Sequence, residues 1–209
     1  MSFYKFAVGF VRCILKVMFR IEVCGAENVP LDEGFIMCAN HKSILDAPVI
    51  GVSVPVEFSF MAKEEVFKFR IFEKLLKSLN VFPVKRGKGD LGAIRASMKA
   101  LEAGGHLLVF PEGTRSRNDH MNEGKGGAVL IAIKSKVNII PVGIEGTYKL
   151  FSKMTVRIGK PIDLSENFDK KIDTETITDI VDNKLMPTIS ELAKVPMASK
   201  VLKSGEETV

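Results

Sequence analysis

Six apolar runs of four to six residues punctuate the chain, at 35–39, 58–62, 81–84, 107–110, 139–144 and 155–158. Between them lie stretches with helical spacing, at about 46–52, 67–79, 91–103 and 127–134, and a last one at about 176–194. Strands this short with helices between them cannot pair through tight hairpins. They need crossover connections, which put most strands parallel. The pattern therefore predicts one α/β domain with a mixed, largely parallel sheet flanked by helices. Local signals agree. Asp90 stands where a helix N-cap belongs, Gly104-Gly105 closes that helix, and Pro83 marks the third run as an edge strand or a strand end.

The chain has 209 residues, enough for one generous domain with a short appendage. Cys13, Cys24 and Cys38 are odd in number and lack Cys-x-x-Cys spacing. That argues against a disulfide framework or a zinc site, and no metal is expected. The net charge is +5, and residues 1–20 contribute most of it through Lys5, Arg12, Lys16 and Arg20, with no acid. The remainder is nearly balanced, so a nucleic-acid footprint, which spreads cations over a fold, is not expected.

On a helix over residues 3–20 those four cations fall within an arc of about 80°. Phe3, Phe6, Phe10 and other apolar residues fill the rest. The longest uncharged run, 6–11, is too short for a membrane span of about 20 residues. Arg12 and Lys16 also interrupt any signal-peptide centre. The segment reads as an interfacial helix with cations at lipid phosphates. A helix docked on the core is the plainer alternative, and so wide an apolar surface can serve both. The expected organisation is this helix at 1–20, one α/β domain at 21–199 and a frayed tail at 200–209.

Reactive groups in such sheets gather where strands end. The first run leads into Asn40-His41, with Asp46 five residues beyond the histidine. A carboxylate folded back onto one imidazole nitrogen fixes the tautomer and leaves the other to accept an alcohol's proton. A single histidine after a strand is more often structural. The fourth run delivers Pro111-Glu112-Gly113-Thr114-Arg115-Ser116, joining a turn-forming glycine to a guanidinium suited to phosphate. A solvated Glu-x-x-Arg turn is the bland reading. The third run ends in Lys85-Arg86-Gly87, an anion site or an ordinary basic turn.

Taken together, Asn-His-x-x-x-x-Asp at 40–46, the Arg-containing block at 81–87, Phe-Pro-Glu-Gly-Thr-Arg-Ser at 110–116 and the apolar block with Pro141 occur in one order. In that order the chain resembles the glycerolipid acyltransferase family over about residues 20–160. The resemblance implies transfer of a fatty acyl group from acyl-CoA or acyl carrier protein to the sn-2 hydroxyl of 1-acyl-glycerol-3-phosphate, yielding phosphatidic acid. It implies His41 as general base with Asp46 orienting it. It implies Arg86, Lys85, Gly113, Thr114 and Arg115 on the acceptor phosphate and Glu112 on the acceptor hydroxyls. No cofactor is expected beyond the thioester co-substrate. The expected partners are a phospholipid surface, a lysophospholipid and acyl carrier protein, at the cytoplasmic face of the membrane. Another lysophospholipid or glycerol-3-phosphate as acceptor stays open.

A serine lipid hydrolase is the rival reading. It requires Gly-x-Ser-x-Gly, and the nearest string, Gly51-Val52-Ser53-Val54-Pro55, lacks the final glycine. Gly124-Lys125-Gly126-Gly127 lacks the spacing of a nucleotide-binding loop and reads as the entry to a helix.

Overall fold

The computed structural model describes residues 3–68, 70–84, 90–116 and 119–198. Helix α1 (Phe3–Met18) leads into strand β1 (Arg20–Cys24). Then come β2 (Phe35–Ala39), α2 (Asp46–Ser53), β3 (Phe58–Lys63), α3 (Arg70–Ser78) and β4 (Val81–Val84). After these lie α4 (Leu91–Glu102), β5 (His106–Val109), α5 (Gly127–Lys134), β6 (Asn138–Gly146) and β7 (Lys153–Ile158). The C-terminal helix runs as α6 (Thr174–Asp179), a π-helical turn (Ile180–Leu185) and α7 (Met186–Ala193).

The strands form one sheet in the order β1-β7-β6-β2-β5-β3-β4. All pairings are parallel except β6 with β7. The central strand alternates its side chains between two cores. Ile36 and Cys38 face α5 and the C-terminal helix, whereas Phe35, Met37 and Ala39 face α1 and α2. Burial on both faces explains why β2 reads as an unbroken apolar run. Pro83 sits in β4, the edge strand, where its missing N–H costs no ladder bond. The Asp90 carboxylate caps α4 by accepting the N–H groups of Gly92 and Ala93.

One strand was not anticipated. β1 alternates Arg20, Ile21, Glu22, Val23 and Cys24, and as an edge strand it buries little. Arg20 is a correction: α1 ends at Met18, so Arg20 opens β1 and leaves the helical cation stripe to Lys5, Arg12 and Lys16.

Helix α1 is docked on the sheet. Leu15 and Phe19 are buried among Val49, Ile50 and Val54, and the Tyr4 hydroxyl accepts the Phe58 N–H at 3.0 Å. Each such apolar side chain stabilises by about 1.5–3 kcal/mol when fully buried. Phe3, Phe6, Phe10, Ile14 and Val17 are exposed, and their spacing places them in one stripe about 120° from the docked face. Lys5, Arg12 and Lys16 line the third face, also exposed. The helix thus carries a docked stripe, a cationic stripe and an outward apolar stripe. No helix among the described residues is long and apolar enough to cross a membrane.

Candidate active site

β2 ends at Ala39, between the C-terminal ends of β5 and β6. Asn40 extends the ladder by one step with its side chain. Its amide donates to the Ile144 carbonyl at 3.1 Å and accepts the Ile144 N–H at 2.7 Å. This anchors the chain where it turns away from the sheet and projects His41 above the edge.

The turn from His41 to Asp46 closes on the Asp46 carboxylate. Oδ2 faces His41 Nδ1 at 2.8 Å and accepts the backbone N–H groups of Lys42 and Ser43, each at 2.7 Å. The Tyr148 hydroxyl donates to Oδ1. Asp46 is 1% exposed while the His41 side chain keeps 17%. The carboxylate selects the tautomer with the proton on Nδ1, so Nε2 is the nitrogen presented to a substrate. Burial and the neighbouring Asp46 charge push the Tyr148 phenol far up, so it stays a donor at every working pH.

The second predicted motif meets the first across the β2–β5 pairing. The Phe110 ring stacks on the His41 imidazole with centroids 4.0 Å apart and planes 15° from parallel. The Ser116 N–H donates to the His41 carbonyl at 2.8 Å.

Glu112 is a correction. The resemblance put it on acceptor hydroxyls, but its carboxylate turns inward and is 1% exposed. One oxygen accepts the His41 N–H at 2.8 Å and the other the Asn122 N–H at 2.8 Å. Burial raises its pKa, opposed by those two backbone donors. Glu112 thus ties the histidine turn to the 111–122 loop.

Gly113 turns at φ +69°, where a side chain would be strained and would also meet Lys125, whose ammonium lies 2.9 Å from the position of an added Cβ. Thr114 and Arg115 are exposed beside it. Lys85 and Arg86 lie outside the described residues.

Two contributors were missed in the sequence. Tyr148 reaches Asp46 from 102 positions away, through the β6–β7 connection, and nothing near either residue signals that contact. Lys125 stands in a string set aside as a helix entry, yet its N–H binds the Pro111 carbonyl at 2.8 Å and its side chain covers the Gly113 turn.

Known proteins resemble this chain in sequence and in fold. The family model described as Acyltransferase matches residues 20–145. The chain is 33% identical over 165 residues to a Bacillus subtilis protein named 1-acyl-sn-glycerol-3-phosphate acyltransferase, covering 76% of this chain and 82% of that one. It is 31% identical over 199 residues to a Streptococcus pneumoniae protein of the same name, covering 91% and 73%. The crystal structure of the 1-acyl-sn-glycerophosphate (LPA) acyltransferase PlsC from Thermotoga maritima superposes with a TM-score of 0.69 at 28% identity, covering 90% of this chain and 80% of that one.

Proposed function

Because the chain belongs to the acyltransferase family, we propose that it moves a fatty acyl group from acyl-CoA or acyl carrier protein to the sn-2 hydroxyl of 1-acyl-glycerol-3-phosphate, forming phosphatidic acid. That it is an acyltransferase is the premise. The acceptor is taken from the names of its bacterial relatives, and the donor is what the family resemblance implies. The observation that carries the reading is the His41 Nδ1–Asp46 contact of 2.8 Å beside the Gly113-Thr114-Arg115 turn, at one edge of the sheet.

In the proposed reaction His41 Nε2 takes the proton of the acceptor hydroxyl as that oxygen bonds to the thioester carbonyl carbon. The carbon–sulfur bond then breaks, the electron pair leaves with sulfur, and the imidazolium returns its proton to the thiolate. Asp46 stabilises the imidazolium, while its four donors keep the carboxylate fixed in place. Arg115 and Lys125, with Lys85 and Arg86, hold the acceptor phosphate by charge-assisted bonds worth about 1.5–3 kcal/mol each. Binding the phosphate there brings the hydroxyl to the base and lowers the entropic part of the barrier. The exposed apolar and cationic stripes of α1 hold the enzyme at the cytoplasmic face of the membrane, where lipid acceptor and water-soluble donor meet.

The test is thiol release from acyl-CoA and from acyl carrier protein by purified protein with 1-acyl-glycerol-3-phosphate, with mass spectrometry of the lipid product. His41→Ala is expected to lower the rate by about 10²–10⁴-fold. Unchanged transfer by that variant, or faster acylation of glycerol-3-phosphate in an acceptor panel, overturns the respective half of the reading. The Ser43 hydroxyl accepts the Leu45 N–H at 3.2 Å within its own turn, so Ser43→Ala is expected to retain most activity. Near-complete loss with a trapped acyl adduct would favour the hydrolase instead.

A further inference from the structure

The β6–β7 connection, residues 147–152, holds Tyr148 against Asp46 and then turns outward. At its tip Leu150 and Phe151 are 59% and 61% exposed. Phe151 has φ +62°, a left-handed backbone that a bulky residue rarely adopts. An aromatic residue there strains the backbone and buries little of its ring, so folding does not account for its presence.

The tip is tied to the end of α1 and the start of β1. The Phe151 N–H donates to the Met18 carbonyl at 2.6 Å, the Arg20 N–H donates to the Ser152 carbonyl at 2.9 Å, and the Ser152 hydroxyl bonds the Thr147 carbonyl. Val17, the last member of the outward apolar stripe of α1, lies next to that junction. Ile44, between His41 and Asp46, is 74% exposed on the same edge. The charges nearby are cationic. Lys149 is exposed at the tip, Lys5, Arg12 and Lys16 line the helix, and residues 1–20 hold no acid. Lys153 is paired with Glu22 and contributes little net charge.

We infer that the Leu150–Phe151 tip is a second lipid-insertion point, fixed to α1, which turns the His41 edge of the sheet toward an anionic bilayer. A helix with an apolar stripe can lie on a surface while the protein rocks about its long axis. A second anchor at one end removes that freedom and sets which edge meets the lipid. Apolar rings flanked by lysines suit the boundary between acyl chains and phosphates. The inference rests on the membrane-surface reading above.

The chain contains no tryptophan, so Phe151→Trp introduces a single indole at the tip. With vesicles of phosphatidylcholine and phosphatidylglycerol in equal parts, its emission is expected to shift blue and to be quenched by brominated lipids. Leu150→Trp serves the same purpose if the first variant folds poorly. Phe151→Gly, which relieves the left-handed backbone, is expected to melt no lower than wild type and to bind vesicles about tenfold or more weaker. Vesicle co-sedimentation with water-like, unquenched emission from both tryptophan variants overturns the tip and spares α1. Failure of wild type to co-sediment overturns the membrane reading together with the tip. A blue shift without lipid that grows with protein concentration assigns the tip to contacts between copies and overturns the proposal as well.

Discussion

Two regions on the same edge of the sheet treat their side chains in opposite ways. In the 41–46 turn the polar groups are satisfied within the chain. Asp46 faces four donors, Glu112 takes two backbone N–H groups, and Phe110 lies flat on the imidazole. At the 147–152 tip and along the outer stripe of α1, large apolar groups face outward, and one of them does so from a strained backbone. The first region is organised by partners it already has, as preorganised chemistry requires. On the membrane-surface reading proposed above, the second is organised for a partner outside the chain. Chemistry and location are therefore separable by mutation, although Tyr148 and Phe151 lie only three residues apart.

The hardest blow to that separation would come from Asp46→Asn. An amide cannot accept all four donors and supports the wrong imidazole tautomer, so turnover is expected to fall on the order of 10⁴-fold. Loss should be equal on vesicle-borne and on dispersed short-chain acceptor, with vesicle co-sedimentation intact. A loss seen only on vesicles would erase the distinction. The reverse case is Phe6→Ser combined with Phe10→Ser. Both rings are exposed, so melting should move little, while vesicle affinity should drop about a hundredfold or more.

Tyr148→Phe tests the bridge between the regions. Losing a hydrogen bond to a charged group is expected to lower kcat/KM about tenfold. The loss should leave vesicle co-sedimentation unchanged, so that it falls on the chemistry and not on the location. The smallest effect belongs to the opposite edge of the sheet. His106 stacks on Phe35 at 4.3 Å, its Nδ1 has no partner among the described residues, and burial lowers its pKa from the ordinary 6.5. Between the lowered pKa and 6.5 the unfolded chain binds the extra proton, so stability falls as pH drops below 6.5. His106→Leu should flatten that slope in thermal melts from pH 5 to 7, leaving vesicle binding and rate alone.

The strands could be read because central strands of a parallel sheet are buried on both faces and appear as apolar runs. β1 escaped because an edge strand with Arg20 and Glu22 shows no such run, and because its arginine continued the cationic spacing of the helix. His41 and Asp46 were legible because five residues suffice to fold a carboxylate back within one turn. The inward direction of Glu112 was not, since it depends on His41 and Asn122 arriving from two other segments. Tyr148 was out of reach for the same reason: its contact exists only once β6 lies beside β2.

Strand β1 pairs with β7, the last strand in the sequence, and α1 is tied at its end to the connection just before β7. During synthesis the inner face of α1 can therefore be covered once α2 and Phe58 have emerged, whereas the tie at its C-terminal end waits for residues 147–152. On the membrane-surface reading proposed above, a nascent chain can settle on a bilayer through the outward stripe of that helix before residues 147–152 exist. Tyr148 and the closing strands follow later, so attachment can come before the enzyme is able to act.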